Sequence, residues 1–194
     1  LNLTDDTDLN QFATGDAVYA GGDAAPVTFA PVIYTGNGAE QEITTGFATD
    51  LVWIKSRTAA YNHCLLDTLR GTNSILDSNS NIEPVVNSPD AFTSFNADGF
   101  TLGANSLGSR GNETNLNGGS YVAWCWNAGD TTVTNNDGEI TSQVRSNGSF
   151  SIVSYDGALT TPGSATVGHG LNTEPSLIII KNTTTSEDWV VYTK

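Results

Sequence analysis

The segment Phe29-Ala-Pro-Val-Ile-Tyr-Thr-Gly36 is the key to the architecture, because it returns 121 residues later as Phe150-Ser-Ile-Val-Ser-Tyr-Asp-Gly157. After a glycine-containing spacer in each copy, Leu51-Val-Trp-Ile-Lys55 aligns with Leu177-Ile-Ile-Ile-Lys181 at an offset of 126. Similar runs in the same order with similar gaps indicate an internal repeat.

The repeat predicts how the chain is divided. A third run, Cys64-Leu-Leu66, matches Trp189-Val-Val191 to within a residue. We therefore expect a complete unit over residues 25–146, the first strands of a second unit over 147–194, and the end of an upstream β element over 1–24. A two- or three-stranded piece is marginal alone. We expect the second unit, cut short at Lys194, to pack on the first unit, on residues beyond this sequence or on another copy of the chain.

Short apolar runs and tight turns predict an all-β protein. Pairs such as Asn37-Gly38 and Asp98-Gly99 supply the positive φ of hairpin turns. They separate runs rich in Val, Ile, Thr and aromatic residues, which favour strands. Strands of this spacing predict an antiparallel sandwich of jelly-roll type. The predicted strands are Val27–Tyr34, Leu51–Ser56, Cys64–Leu69, Phe92–Phe95, Gly99–Leu102, Ser120–Asn127, Glu139–Val144, Phe150–Tyr155, Ser176–Lys181 and Trp189–Tyr192.

Composition excludes several classes of function. The 194 residues suffice for one good core, and 21 Asp and Glu oppose 7 Lys and Arg. The resulting net charge of -14 repels nucleic acid and anionic membrane surfaces. Apolar runs are short, as in Leu177–Ile180, whereas a membrane-spanning helix needs about 20 residues. We expect neither nucleic-acid binding nor membrane insertion.

The cysteines and carboxylates predict neither a metal site nor a cofactor. Cys64 and Cys125 lie far apart and outside any Cys-x-x-Cys motif. They are either two buried thiols or, if their strands are neighbours, a disulfide. Residues 5–8 and 135–139 offer oxygen ligands for Ca²⁺, but neither segment has the full calcium-loop pattern, and turn formation explains both.

The titratable residues favour a protein without catalytic activity. His63 and His169 occupy non-equivalent positions of the repeat, in contexts typical of loops, and no Gly-x-Ser-x-Gly motif is present. Several carboxylates, such as Asp98, precede glycine in turns, where they cap their own backbone. Asp67 lies in an apolar run with Arg70 as a candidate partner. We predict no catalytic residues.

The strand Tyr121–Trp126 has two interpretations. Alternation places Val122, Trp124 and Trp126 on one face and the residues between them on the other. Either both faces are covered in the sandwich, which we expect, or the indole face is a platform that stacks on sugars. Trp53 presents the same choice. The residues expected in the core are Tyr34, Trp53, Ile54, Phe100, Trp124, Trp126 and Tyr155.

Polar loops are the expected place for a ligand, because binding residues concentrate on loops held by a rigid scaffold. Two segments, Tyr61–His63 and Arg110–Asn117, together combine amide donors with an aromatic residue, as a lectin-like site does. A solvated loop is the alternative interpretation of each. The candidate ligand-binding residues are Tyr61, Asn62, His63, Arg110, Asn112, Asn115 and Asn117.

Four motifs carry a family resemblance. They are Tyr34-Thr-Gly-Asn-Gly38, Asp50-Leu-Val-Trp-Ile-Lys-Ser-Arg57 followed by Asn62-His63, Phe95-Asn-Ala-Asp-Gly-Phe-Thr-Leu-Gly103, and Gly119-Ser-Tyr-Val-Ala-Trp-Cys-Trp126. In this order, over about residues 25–194, they resemble a repeated domain of unknown function in tail-fibre-like and other virion proteins of bacteriophages, especially marine ones. The resemblance implies a concanavalin-like or SPRY-like β-sandwich, no catalytic residues, and a homo-oligomer with the threefold symmetry of fibres.

Together these features predict a non-enzymatic structural or adhesion protein of a phage virion, in a tail fibre or appendage that contacts the bacterial host surface. One alternative is a capsid-decorating or head-fibre protein. The other is a carbohydrate-binding adhesin that a bacterium secretes to the extracellular space. The expected partners are copies of the chain, other virion proteins and a bacterial surface glycan, with no cofactor.

Overall fold

The chain is an all-β protein built from antiparallel sheets, as predicted. The computed structural model describes residues 27–86, 91–105, 109–157 and 165–194, so the predicted element over residues 1–24 lies outside the described part. The strands are β1 (Phe29–Thr35), β2 (Gln41–Thr44), β3 (Leu51–Ser56), β4 (Cys64–Asp67), β5 (Ser74–Asp77), β6 (Val85–Val86), β7 (Ser94–Asn96), β8 (Gly99–Leu102), β9 (Ser120–Trp126), β10 (Thr132–Asn135), β11 (Ser142–Ser146), β12 (Ser151–Tyr155), β13 (Leu177–Ile180) and β14 (Val190–Thr193). Helix α1 (Ser109–Asn115) lies between β8 and β9. Within these ranges, no helix has the length and apolar character of a membrane span.

The larger sheet has six strands in the order β1-β9-β3-β4-β5-β6. Hydrogen bonds from Gly36 N to Gly119 O and from Asn127 N to Thr28 O bracket the pairing of β1 with β9. Hydrogen bonding alternates along an antiparallel strand, so the even-numbered residues of β1 bond to β9. The backbone nitrogen of Pro31 therefore faces the opposite edge of the sheet. Proline has no N–H to donate, so it is tolerated at that position and blunts the edge of the sheet.

A second sheet, in the order β2-β8-β7, covers one face of the larger sheet. The core between them combines Val52 and Ile54 of β3 with Phe100 and Leu102 of β8, all fully buried. Phe92 stacks on Phe100 with ring centroids 5.5 Å apart. Two antiparallel sheets that share one apolar core form a β-sandwich, which confirms the prediction of an all-β antiparallel sandwich.

Five of the seven predicted core residues lie in the larger sheet and divide between its two faces, whereas Phe100 lies in β8 and Tyr155 in β12. Those that are buried, as predicted, are Tyr34, Ile54 and Phe100. The prediction is wrong for Trp53, Trp124 and Trp126, which are half-buried on the opposite face, and for Tyr155 of β12, which is 41% exposed. The second sheet covers one face of the larger sheet, and alternation turns these indoles to the other face. Tyr155 belongs to a separate sheet, β10-β11-β12, which contributes no residue to the core cluster.

Both cysteines are buried free thiols. Strand β3 lies between β4, which carries Cys64, and β9, which carries Cys125, so the two strands are not neighbours. This confirms the first interpretation of the cysteine pair. Burial raises the pKa of Cys125 to about 12.

A three-stranded sheet, in the order β10-β11-β12, is attached to the end of the sandwich. Arg145 of β11 forms an ion pair with buried Asp50, with Nε 2.6 Å from Oδ1 but without hydrogen-bond geometry. Phe150 stacks on Trp126 with centroids 5.8 Å apart. The β11–β12 hairpin spans the predicted boundary at residues 146–147. The first run of the repeat therefore has different partners in its two copies, because β1 pairs with β9 and β12 pairs with β11.

Strands β13 and β14 form a hairpin that reproduces the pairing of β3 with β4. Leu177 pairs with Thr193 as Leu51 pairs with Asp67, and the offset of 126 holds on both strands. The register makes Val190, not Trp189, the equivalent of Cys64, a shift of one residue from the sequence alignment. The second and third runs of the repeat thus form the same hairpin twice.

Candidate functional site

The two predicted ligand-binding segments, residues 61–63 and 110–117, meet at the buried carboxylate of Glu113. The prediction of a loop is wrong for residues 110–115 of the second segment, because these residues belong to helix α1. Arg110 and Glu113 are three residues apart on this helix, so their side chains lie on one face. Asn62, from the loop before β4, donates from Nδ2 to Glu113 Oε1 at 3.2 Å. The fold therefore brings Asn62 and Arg110 into one cluster.

Arg110 neutralises two buried carboxylates. Its guanidinium donates to both oxygens of Asp77, on β5, at 2.8 and 2.9 Å, and donates also to Glu113. Burial by itself would lower the pKa of Arg110, but hydrogen bonds to Asp77 and Glu113 raise it above its ordinary value. The planar fork of arginine suits such bidentate pairing. This salt bridge ties α1 to the larger sheet.

Cys64, Asp77 and Glu113 place three ligand-type atoms within 4.8 Å of one another. The Cys64 thiol donates to Glu113 Oε2 at 3.3 Å. Burial, and then the nearby Glu113 carboxylate, raise the pKa of Cys64 well above its ordinary value, whereas metals bind the thiolate. Arg110 already holds the two carboxylates, so the cluster suits a structural role better than metal binding.

The other candidate ligand residues have separate environments. Asn115 is fully buried, and its Nδ2 donates to the carbonyl oxygens of Ala39 and Gly103 at 2.6 and 3.0 Å. Asn112 accepts a hydrogen bond from Asn105. Arg110 and Asn115 therefore hold neighbouring segments in place, which corrects their assignment to a solvent-facing loop. The remaining candidates are half-buried Tyr61 and His63, where burial lowers the histidine pKa, and exposed Asn117.

The outer face of the larger sheet carries an aromatic strip formed by Phe29, Trp53, Trp124, Trp126 and Phe150. Trp53 and Trp124 are cross-strand partners with ring centroids 5.6 Å apart and planes inclined at 59°. Phe29 lies 4.9 Å from Trp126, which Phe150 covers in a nearly parallel stack. The two tryptophans of the central pair are half-buried, so part of each indole remains accessible.

A polar groove lies next to the aromatic strip. The Trp53 indole N–H donates to Ser78 Oγ at 2.9 Å, and Ser78 is at the groove's rim. Trp189 donates from Nε1 to the Ser80 carbonyl at 2.8 Å, so the segment before β14 closes one side of the groove. The groove is lined by Ser78, Asn79, Ser80, Asn81, Asp188 and Trp189.

The strip and the groove together offer indole faces beside hydroxyl, amide and carboxylate groups. This combination can stack on the apolar face of a sugar ring and bind its hydroxyl groups. In the sequence, the aromatic strip is indicated by the alternation of large and small side chains along β9. The Ser-Asn-Ser-Asn run at residues 78–81 carries no motif, and its approach to Trp189 depends on a contact between residues over a hundred positions apart.

Residues 26–194 match the model of a family described as a domain of unknown function, DUF7483. The chain belongs to this family. No curated protein and no solved structure matches the chain.

The DUF7483 match is continuous over the sandwich, the middle sheet and the second hairpin. It therefore includes both copies of the repeated hairpin, the aromatic strip and the polar groove. The family description names no activity.

Proposed function

We propose that this protein is a non-enzymatic structural and adhesion module of a phage virion, in a tail fibre or appendage, and that it binds glycan on the bacterial surface. The motif resemblance to virion repeat domains supports the location. The same resemblance supports a concanavalin-like or SPRY-like form of the sandwich, and assembly with copies of the chain and with other virion proteins.

The observation that carries the adhesion proposal is the half-buried Trp53–Trp124 pair on the face of the larger sheet opposite the second sheet, with the polar groove beside it. Half-buried indoles lose solvent-exposed apolar area when a ring stacks on them, while their rigid strands keep the cost in entropy low. Flanking amides give the orientation that a flat apolar surface lacks.

The pairing of buried charges supports a protein that binds rather than catalyses. Asp67 pairs with Arg70, and the carboxylates of Asp77 and Glu113 are held by Arg110. General acid–base catalysis requires convergent groups that are free to exchange a proton with a substrate. Carboxylates fixed by arginine stabilise a fold and are poorly placed for proton transfer.

A capsid-decorating or head-fibre role is the second candidate, and one observation favours it. At the β1 edge of the outer face, Phe29 is 44% exposed and Ile33 is 65% exposed. Apolar side chains of this size beside an aromatic strip suit a contact with another protein of the virion. The same surface is compatible with the third alternative, a secreted bacterial adhesin.

Binding of the purified chain to an array of bacterial surface polysaccharides tests the proposal. We expect Trp124→Leu to weaken binding about tenfold or more. Val122→Ala is the matched control, because it changes the same face of the same strand without removing a ring, and we expect at most a twofold effect. A urea unfolding curve for each variant shows that the fold is retained. Absence of binding to every polysaccharide, or equal binding by the Trp124 variant, contradicts the proposal.

A further inference from the structure

The β13–β14 hairpin has the same backbone pairing as the β3–β4 hairpin. Lys194 N donates to Ser176 O at 3.0 Å, as Thr68 N donates to Asp50 O at 2.9 Å. In both hairpins this bond closes the pairing at the same register position. Antiparallel bonding alternates, so Ile178 and Ile180 bond to β14 and the amides of Leu177, Ile179 and Lys181 point to the opposite edge.

In the first copy, that opposite edge is occupied by β9. Arg57 N donates to Ser120 O at 2.8 Å, and Trp53 and Lys55 are partners of Trp124 and Val122 in the register. Among the described residues, β13 pairs with β14 alone. No strand of the described part of the chain therefore occupies the β13 edge that corresponds to the edge filled by β9 in the sandwich.

The side chains show the same difference. Val52 and Ile54 of β3 are fully buried, whereas their equivalents Ile178 and Ile180 are 37% and 40% exposed. On β14, Val190 takes the place of fully buried Cys64 and is 59% exposed. A hairpin with apolar side chains on both faces and an open edge is a template for strand addition.

We propose that the open edge of β13 binds an antiparallel β-strand with the chemistry of β9. Such a strand alternates small residues with large aromatic ones. In the first copy the small residues, Cys125 and Ala123, lie opposite Val52 and Ile54, and an indole lies opposite Trp53. By equivalence, small residues would lie opposite Ile178 and Ile180, and a bulky ring would lie opposite Ile179.

The charge of the hairpin strands does not oppose this occupant. The chain carries -14 overall, yet β13 and β14 contain no acidic residue, and Lys181 follows β13 as Lys55 stands in β3. Pairing of an uncharged strand with β13 therefore buries no carboxylate of the hairpin strands, which would be costly.

The test uses the full isotope-labelled chain and a synthetic peptide with the sequence of residues 118–128, in which Cys125 is replaced by alanine. We expect the peptide to slow hydrogen exchange of the Leu177 and Ile179 amides at least tenfold. The Ile178 and Ile180 amides, which already bond to β14, should change less. A peptide of the same composition in scrambled order should have no effect.

Two variants locate the interaction. Ile179→Pro removes the outward N–H and leaves the bonds to β14, as Pro31 does at the edge of β1, so we expect loss of peptide binding. Ile179→Val keeps the N–H and should bind within threefold of the parent chain.

Three results would overturn the proposal. They are unchanged exchange at β13, equal protection by the scrambled peptide, and protection that appears without peptide and grows with protein concentration, which indicates that β13 pairs with a second copy instead. Because the scrambled-peptide comparison uses the unaltered chain, the test remains decisive even if the proline variant unfolds.

Discussion

The β3–β4 and β13–β14 hairpins have the same register and opposite environments. In the first, the inward side chains of Val52 and Ile54 are sealed by the second sheet and by β9. In the second, the equivalent side chains are exposed. Local sequence therefore suffices to define the pairing of a hairpin, while burial depends on strands that are distant in the chain.

The first hairpin is also anchored by a buried salt bridge, whereas the described contacts of the segment before β14 with residues 80–81 are hydrogen bonds. Cys64 lies beside the Arg110 salt bridge, which joins β4 and β5 to helix α1. Its equivalent, Val190, has no group of that kind to bind. The stability of the first hairpin should therefore respond to changes at the anchor and in the core, and that of the second should not.

Arg110→Met should have the largest effect on the comparison. The substitution leaves the buried Asp77 and Glu113 carboxylates uncompensated, and we expect the free energy of unfolding of the sandwich to fall by about 3–5 kcal/mol. Urea denaturation measures it. Arg57→Met is the control, because exposed Arg57 donates to Ser120 alone among side chains of the described residues, and its loss should be negligible. Equal effects of the two substitutions would show that the buried cluster contributes no particular stability.

Ile54→Ala and Ile180→Ala test the comparison with the same chemical change at equivalent positions. Ile54 is fully buried, so its truncation should destabilise the fold by about 2–5 kcal/mol. Ile180 is 40% exposed, so its truncation should cost less than about 1 kcal/mol. Thermal or urea unfolding of both variants measures the two losses of stability. A similar loss for both would mean that the second hairpin is sealed in solution.

The sequence predicts the fold better than it predicts the site, for physical reasons. Strong apolar runs such as Leu51–Ser56 and Ser120–Trp126 mark their strands unambiguously, and all ten predicted strands are present within a few residues. The strands not predicted, β2, β5, β6 and β10, are two to four residues long, with one or two apolar positions each. Their existence depends on pairing with stronger neighbours.

The site depends on the third dimension in two ways. Alternation in β9 separates its two faces but does not say whether both are covered, and the expectation that both are covered places the indoles in the core. The sequence of Arg110–Asn115 is polar and has no apolar periodicity, so it predicts a loop. The helix there is held by the bond between Arg110 and Asp77, which lie 33 residues apart. Tertiary contacts override weak local preference at both places.

Alkaline pH should weaken the sandwich through its buried thiols. Both thiols are protonated in the folded and unfolded states below about pH 8.5. Above that, the unfolded chain releases protons, while folded Cys125 holds its proton until about pH 12, so stability falls as pH rises. The slope approaches about 1.4 kcal/mol per pH unit for each thiol.

Urea midpoints at pH 8, 9 and 10 measure this slope, and Cys125→Ala should make it shallower. Stability that stays constant or rises over this range would contradict the burial of the thiols. Because β13 and β14 contain no cysteine, local opening of the second hairpin should not share the dependence.

Trp189→Phe should have the smallest effect. It removes the indole hydrogen bond to the Ser80 carbonyl, which contributes about 0.5–1.5 kcal/mol, and leaves an aromatic ring in place. We expect faster hydrogen exchange in β14 and unchanged exchange in β3 and β4. Faster exchange in all four strands would indicate that the two hairpins open as one unit.

The identity of the two registers is tested most directly by cross-strand nuclear Overhauser effects in the intact chain. Partners that are not hydrogen-bonded have closely spaced α-protons. We predict strong α-proton contacts of Leu177 with Thr193 and of Ile179 with Val191, matching those of Leu51 with Asp67 and of Trp53 with Leu65. Contacts displaced by one residue in the second hairpin, or none there, would contradict the account.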